Sequence, residues 1–254
     1  MSPARLPHLR FCFRVALPLA LLLVAGAAAA AGVAEAPAGP SSAHAGDGAA
    51  ATDAARRGLA LAKSVQRYYA RAKDFSAAFA QTYTSAALGR SKQSSGKVMV
   101  KKPGLLRWEY AQPEKKLLVL DGTAFWQWTP EDNQVLVNRH FSGGELSSAF
   151  TFLWGKGELT RDFTARAIPL PETFAKLAGA QKEALELLPR QPSAQIKRVV
   201  FALGPHGEVR GSLVIDSQDD ENRLEFSGEK TDSALADSLF KFDVPRGANV
   251  QELR

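Results

Sequence analysis

Cysteine is almost absent from this chain of 254 residues, since Cys12 is its only one. A single thiol cannot close a disulfide within the chain, and it cannot supply a CxxC redox or zinc motif. Cys12 also lies before the first apolar run, whereas an acylated cysteine would have to follow that run at a cleavage site. These absences exclude a disulfide-stabilised fold, a thiol redox site and a lipid anchor at this cysteine.

Recognisable catalytic motifs are also missing. The four histidines show no HExxH or other two-histidine metal spacing, and there is no G-x-S-x-G elbow, phosphate-binding loop or dinucleotide fingerprint. Carboxylates cluster at residues 131–132 and 219–221, in turn-like segments typical of solvated loops. Lys and Arg are interspersed with Asp and Glu, which argues against a nucleic-acid groove. We therefore predict no catalytic residue, no metal, no cofactor and no nucleic-acid partner.

The N-terminal residues have the order of a secretory signal. Arg5, Arg10 and Arg14 precede an apolar run at residues 15–24, which is followed by a small-residue tract at residues 25–31. A transmembrane anchor would need about 20 apolar residues, so residues 1–31 are predicted to be a cleaved signal peptide. Its removal takes away three arginines and no acid, lowering the formal net charge from +6 to +3.

The next segment, residues 32–53, holds mostly Ala, Gly, Pro and Ser, and cannot bury enough apolar area to offset its ordering entropy. It is predicted to be a flexible leader. The remaining residues, 54–254, have the size of one domain. An apolar stripe at Leu61, Val65 and Tyr68 predicts that this domain starts with an amphipathic helix over residues 53–72, capped by Asp53.

Most of the domain alternates apolar and polar residues with the period of two that is typical of strands. A polar loop is expected at 89–95, a weak helix at 172–181 and a helical turn at 233–239. The fold class is therefore mainly β with short helices, built as a barrel-like antiparallel sheet of about ten or eleven strands. The candidate strand segments for this sheet are 75–84, 96–101, 105–110, 115–120, 124–129, 134–138, 162–168, 184–189, 196–203, 209–216, 223–230 and 240–244.

Tryptophan is concentrated in the predicted meander. Leu106 and Trp108 share one face of their strand, and Trp126 and Trp128 share one face of another. The apolar face must be covered by a helix, by another part of the sheet or by a bound apolar molecule. A short apolar helix predicted at residues 147–154, between glycines, is either a movable lid or a fixed core helix.

Four segments carry a resemblance to a known family: FSAAFAQ at 75–81, GKVMVKKPGLLRWEY at 96–110, LLVLDGTAFWQWTPEDNQ at 117–134 and SSAFTFLWGKG at 147–157. They resemble the periplasmic lipoprotein carrier family LolA, and the likeness extends loosely over nearly the whole mature chain. The resemblance implies an incomplete antiparallel barrel of about eleven strands, with an N-terminal helix and a helical lid closing an apolar concave face.

The resemblance also implies a function and partners. Members of the family take acylated lipoproteins from the inner-membrane exporter LolCDE, shield the acyl chains across the periplasm, and deliver them to an outer-membrane acceptor, LolB or its equivalent. A non-enzymatic monomer is expected. A lipid-sensing regulator of the RseB kind would use the same fold, and a hydrolase is a third reading, for which His140 has no evident partner.

Site residues follow from the alternation and from the resemblance together. In the family an arginine precedes the proline of the KxP turn and holds the lid; here that position is Lys102, which is either a latch or an ordinary turn lysine. Lid residues are Phe150, Phe152, Leu153 and Trp154. The candidate acyl-chain contacts, any of which could instead be plain core, are Phe79, Val98, Val100, Leu106, Trp108, Leu118, Leu120, Trp126 and Trp128.

Overall fold

A computed structural model describes residues 45–141, 158–177, 179–193 and 195–253. The predicted signal peptide and the predicted lid helix lie outside these ranges. Two short 3-10 turns occur at Glu172–Phe174 and Asp237–Phe240. The helices and strands are α1 (Ala45–Arg71), β1 (Asp74–Ser85), β2 (Arg90–Lys101), β3 (Leu105–Gln112), β4 (Lys116–Asp121), β5 (Phe125–Thr129), β6 (Gln134–Asn138), α2 (Leu159–Asp162), β7 (Phe163–Pro169), β8 (Glu183–Pro189), β9 (Arg198–Leu203), β10 (Val209–Ile215), β11 (Glu221–Thr231) and β12 (Asn249–Glu252).

All twelve strands belong to one open sheet, in the order β12-β6-β5-β4-β3-β2-β1-β11-β10-β9-β8-β7. Two antiparallel meanders are joined where β1 pairs with β11, and among the described strands only β12 runs parallel to its neighbour, β6. The strands β12 and β7 form the two edges, so the sheet does not close on itself. The predicted incomplete antiparallel barrel is confirmed, with twelve strands instead of about eleven.

One face of the sheet, called here the inner face, carries the main core. Phe79, Val98 and Leu118 from one meander belong to the same buried cluster as Leu185 and Phe201 from the other. One buried cluster therefore spans both meanders on this face. The alternation of apolar and polar residues along each strand gives the sheet this continuous apolar face.

Helix α1 lies against the inner face. Its apolar stripe buries Ala62, Val65 and Tyr69 completely or nearly so, and the helix packs along β7. Contact is closest at Gly58, where an added Cβ would lie 2.3 Å from the Cα of Arg166. None of the helices in the described ranges is both long enough and apolar enough to cross a membrane.

The N-terminal end of α1 differs from the prediction. The helix begins at Ala45 instead of at an Asp53 cap, and Asp53 forms ion pairs with Arg56 and Arg57 one turn later. The alanines at positions 49–51 explain the extension, since alanine has the highest helix propensity. Part of the segment assigned to the leader is therefore helical.

The structure also differs from the prediction of a loop at 89–95. Gly89 lies in the turn, and residues 90–95 form the first half of β2, which pairs with β1 without interruption from Ser85↔Arg90 onwards. Their hydroxyl and amide side chains resemble a loop in composition, but they lie on a solvated part of the hairpin, where Thr84 and Ser91 hydrogen bond across the pair at 2.8 Å.

The last predicted strand, 240–244, is wrong. The terminal strand is β12, and Phe242 lies outside any strand, with its ring 5.5 Å from that of Trp126. The apolar pattern at 240–244 comes from single side chains that pack on the sheet instead of pairing with it. Pro245, which lacks an N–H, follows directly and disfavours pairing.

The close approach of α1 to β7 predicts the effect of two matched substitutions. Gly58→Ala should lower the free energy of unfolding by about 1–3 kcal/mol because its methyl group would collide with the Arg166 backbone. Gly48→Ala, in the same helix with no atom within 4 Å of its added Cβ, should instead raise stability by up to about 1 kcal/mol. Urea denaturation measures both, and stabilisation by Gly58→Ala would contradict the contact.

Candidate functional site

Most of the candidate acyl-chain contacts lie together on the inner face. Trp108 is half-buried and packs against the others from the rim of the cluster. Each remaining member is no more than 6% exposed, so the lining is almost fully covered in this state. The candidates brought together in this cluster are Phe79, Val98, Val100, Leu106, Trp108, Leu118 and Leu120.

An aromatic group forms the half-exposed end of the inner face. The ring of Phe79 lies 5.0 Å from that of Trp108 and 5.1 Å from that of Tyr110, measured between centroids. Gly96 pairs with both Phe79 and Tyr110, and a Cβ there would lie 2.9 Å from the Phe79 ring and 1.8 Å from the Glu109 carbonyl oxygen. Glycine at this position therefore makes room for the aromatic group.

Few polar atoms interrupt this surface. The indole N–H of Trp108 is shielded from solvent and finds no acceptor among the described residues. Burial raises the pKa of Tyr110 well above its usual range, with a hydrogen bond to Gln81 opposing the shift only in part. Gln81 Nε2 in turn donates to Asn222 Oδ1 at 2.8 Å. A surface of this kind can hold hydrocarbon, and it places no nucleophile beside a base.

Trp126 and Trp128 were placed on the wrong face. Leu118, an inner-face residue, is opposite Gln127, whereas Trp126 is opposite Val119. Both tryptophans therefore point to the outer face, where they form a separate cluster with Val135 and Val137. The predicted alternation in β5 is confirmed, but the two tryptophans lie on the face opposite to that of the other candidates.

The outer-face cluster has its own cover. Phe242 of the C-terminal segment packs on Trp126 and Trp128, and the Arg139 guanidinium lies 5.3 Å from the Trp126 ring centroid. Trp126 Nε1 donates to Asp121 Oδ2 at 2.8 Å. Burial opposes ionisation of Asp121, but this and other hydrogen bonds together hold its pKa below the usual value. These contacts give the two tryptophans a structural role.

Lys102 contacts the C-terminal end of α1. Its ammonium donates to the carbonyl oxygens of Tyr69 and Ala70, which are among the last carbonyls of the helix. Desolvation lowers the pKa of Lys102, and the nearby Asp232 carboxylate opposes this shift. The predicted contact between Lys102 and the lid involves residues outside the described ranges and stays a prediction.

Two clefts bounded by described residues are polar. One, of about 420 Å³, lies between α1 and the β9–β10 turn, next to Arg67, Arg71 and His206. The other, of about 650 Å³, crosses β1 and β2 near Thr82 and Gln93. Within the described ranges, no group of three or more His, Asp or Glu side chains is arranged to hold a metal ion.

Two further residues of the inner face belong to this candidate site. Tyr110 follows Trp108 in the same alternation, so its position is predictable from the strand pattern. Gln127 lies on the inner face, where it is 5% exposed, because the two tryptophans that flank it point to the outer face. A glutamine flanked by aromatics carries no sequence signal of burial.

Comparison with known proteins identifies the family. The family model described as "Outer membrane lipoprotein carrier protein LolA" matches residues 70–243, which is more than half of the chain. The chain belongs to the LolA family. The matched region begins near the end of α1 and includes β1 to β11, so it contains all of the inner-face candidates.

Individual relatives agree with the family match. An outer-membrane lipoprotein carrier protein of Nitrosomonas europaea is 28% identical over 74% of this chain and 87% of its own length. A protein of the same description from Methylibium petroleiphilum is 30% identical over the same shares. A solved LolA superfamily structure from Nitrosomonas europaea has a TM-score of 0.39 and 11% identity, over 73% of this chain and 97% of its own. Membership in the LolA family therefore rests on the sequence matches.

The contact between Lys102 and α1 predicts a stability effect. Lys102→Met should lower the free energy of unfolding by about 1 kcal/mol and speed amide exchange in the last turn of α1, because the helix carbonyls lose a charged donor. Lys102→Arg keeps the charge and should retain most of the effect. Unchanged exchange in Lys102→Met would show that the ammonium contributes nothing to the helix end.

Proposed function

We propose that this protein is a periplasmic carrier that binds the acyl chains of lipoproteins on the inner face of its sheet and delivers them to the outer membrane. Membership in the LolA family and relatives described as outer-membrane lipoprotein carriers support the carrier role. The observation that supports the location is the continuous apolar lining shared by both meanders, which exceeds what a polar substrate would need.

The binding energy can come from hydrocarbon burial alone. Each methylene removed from water contributes about 0.8 kcal/mol, so ten methylenes give on the order of 8 kcal/mol. The inner face is covered in the state described, so acyl chains can enter only if whatever covers it moves. The half-buried rings of Trp108 and Tyr110 form the accessible end of the lining and are the first contact in this proposal.

Loading and release are shifts of one equilibrium between a covered and an open inner face. A partner that binds the open state more tightly promotes the exchange of cargo, and no covalent step is required. The proposed donor is an inner-membrane exporter of the LolCDE kind, and the proposed acceptor is an outer-membrane protein of the LolB kind. Lys102, bonded to the end of α1, is positioned to influence how readily the helix moves.

The central experiment measures release of a triacylated lipoprotein from inner-membrane vesicles into the soluble fraction by the purified protein. Release in a one-to-one complex supports the carrier. A lipid-responsive regulator would bind free lipid without releasing lipoprotein, and hydrolysed acyl chains in the soluble fraction would indicate an enzyme. Either result would contradict the carrier proposal.

Two tryptophans provide a matched pair for locating the binding surface. Trp108 and Trp128 are both half-buried, and both have indole N–H groups without an acceptor among the described residues, but they lie on opposite faces of the sheet. Trp108→Ala should weaken lipoprotein release by 10-fold or more, on the order of the loss of one large apolar contact. Trp128→Ala should leave release within about two-fold once the two variants are compared at equal folded fraction.

The comparison decides between the two faces. Equal losses in the two variants would show that the effect is one of stability and not of cargo contact. A larger loss for Trp128→Ala would place the acyl chains on the outer face and overturn the assignment made here.

A further inference from the structure

A β-bulge directs one carboxylate of β11 into the core. Along β11, Leu224 and Phe226 point to the inner face, so simple alternation would turn Glu229 outwards. However, Ser76 of β1 pairs with Lys230 while Ala78 pairs with Ser227, so β11 contains one extra residue at this point. The extra residue reverses the alternation and turns Glu229 inwards.

Gly228 provides the backbone conformation for this reversal. Its φ is +60°, in the left-handed region that non-glycine residues rarely adopt, and nothing lies within 4 Å of an added Cβ. Glycine is therefore required here by the backbone and not by crowding. A bulge built on a left-handed glycine is a specific device for redirecting a side chain, and the side chain it redirects is an acid.

The surroundings of Glu229 compensate its carboxylate only in part. Both side-chain oxygens are shielded from solvent, and no described donor meets the full geometry of a hydrogen bond to them, although the Tyr68 hydroxyl lies close enough to lower the pKa of the carboxyl. Tyr68 and Tyr69 of α1 lie near this carboxylate, and so do Glu208 and Arg210 of the neighbouring part of the sheet. Arg210 is already engaged, since its Nη2 lies 3.0 Å from Glu208 Oε1.

These contacts strongly perturb the titration of the group. Burial raises the pKa of Glu229 from its ordinary 4.5 to about 7; Tyr68 and Arg210 oppose the shift and Glu208 adds to it. The same proximity raises the pKa of Tyr68, mainly through burial and then through the Glu229 charge. The carboxyl therefore gains and loses its proton close to neutral pH.

We propose that Glu229 is a proton-linked switch for α1: its neutral form is tolerated under the helix, and its ionised form loosens the C-terminal half of α1 from the sheet. The physical reason is that a buried charge with too few hydrogen-bond donors is costly, and the cost is relieved if water reaches the carboxylate. Tyr68 and Tyr69, which lie next to Glu229, belong to the half of α1 that has to move. The consequence for cargo rests on the proposed carrier function, because α1 packs on the inner-face cluster.

The direction of the pKa shift of Glu229 determines how the stability of the protein depends on pH. Between the unfolded pKa of 4.5 and the folded value of about 7, the folded protein binds more protons than the unfolded chain. Stability is therefore lost as the pH rises through this window, and it levels off above it. Glutamine keeps the shape and neutrality of the protonated acid, so Glu229→Gln should remove this contribution without unfolding the protein.

The first test compares the folding equilibrium constants of wild type and Glu229→Gln by urea denaturation at pH 5 and pH 8. The variant's folding constant divided by that of wild type should be on the order of 50-fold larger at pH 8 than at pH 5. This follows from the rise in the pKa of Glu229 from 4.5 in the unfolded chain to about 7 in the folded protein. Glu221→Gln, an exposed acid on the same strand, is the control and should show no such shift. A ratio that does not change with pH would overturn the proposal.

The second test asks whether α1 is the element that responds. Amide exchange of residues 61–69, corrected for the intrinsic pH dependence, should be at least 10-fold faster at pH 8 than at pH 5 in wild type and unchanged in Glu229→Gln. Equal protection of α1 at both pH values in wild type would overturn the switch. Neither test uses cargo, so both decide the switch even if the carrier function fails.

A third measurement connects the switch to cargo. Binding of a synthetic triacylated lipopeptide should change at least 3-fold between pH 5 and pH 8 in wild type and remain constant in Glu229→Gln. A constant affinity in both proteins would overturn the coupling to cargo. Failure of the lipopeptide to bind at either pH would count against the carrier function itself, while the exchange data would still judge the switch.

Discussion

The packing of α1 against the inner face is the interaction on which the remaining structure depends. An open sheet of twelve strands with one apolar face would expose that face to water unless another element covered it. Helix α1 covers the part of this face near β7 through Val65 and Tyr69, and Gly58 allows the helix to approach β7 without a gap. The sheet can therefore remain unclosed and still have a buried core.

This arrangement suits the proposed carrier, which would be closed when empty and open when loaded. A covering helix can move away from a sheet at a lower cost than a paired strand can, because no ladder of backbone hydrogen bonds has to be broken. Contacts that adjust its stability are found near its C-terminal end, where Lys102 bonds to helix carbonyls and Glu229 lies beneath the two tyrosines. The N-terminal part is held by the close contact with β7.

Strand positions could be predicted because each strand carries its own period of two, and the turn residues between strands are distinctive. The face that a strand buries could not always be predicted. Leu106 and Trp108 alternate in the same way as Trp126 and Trp128, and only the register between β4 and β5 shows that the two pairs lie on opposite faces. Periodicity separates two faces and does not say what lies against either.

The orientation of Glu229 is a second feature that could not be predicted from the sequence. Its inward orientation depends on one inserted residue in the pairing of β1 and β11, which is a property of two strands and is not visible in either alone. The extension of α1 to Ala45 was not predicted for a different reason. A run of small residues has the composition of a flexible segment, but its alanines favour helix. The site residues on regular strands were thus predictable, and those set by irregular pairing were not.

The two edges of the open sheet also affect how the protein behaves at high concentration. A long bare edge invites other chains to add strands, which leads to aggregation. Here α1 packs along β7, and the opposite edge is β12, a strand of only four residues, all exposed and mostly polar. The protein can therefore keep its sheet open without presenting an extended template for self-association.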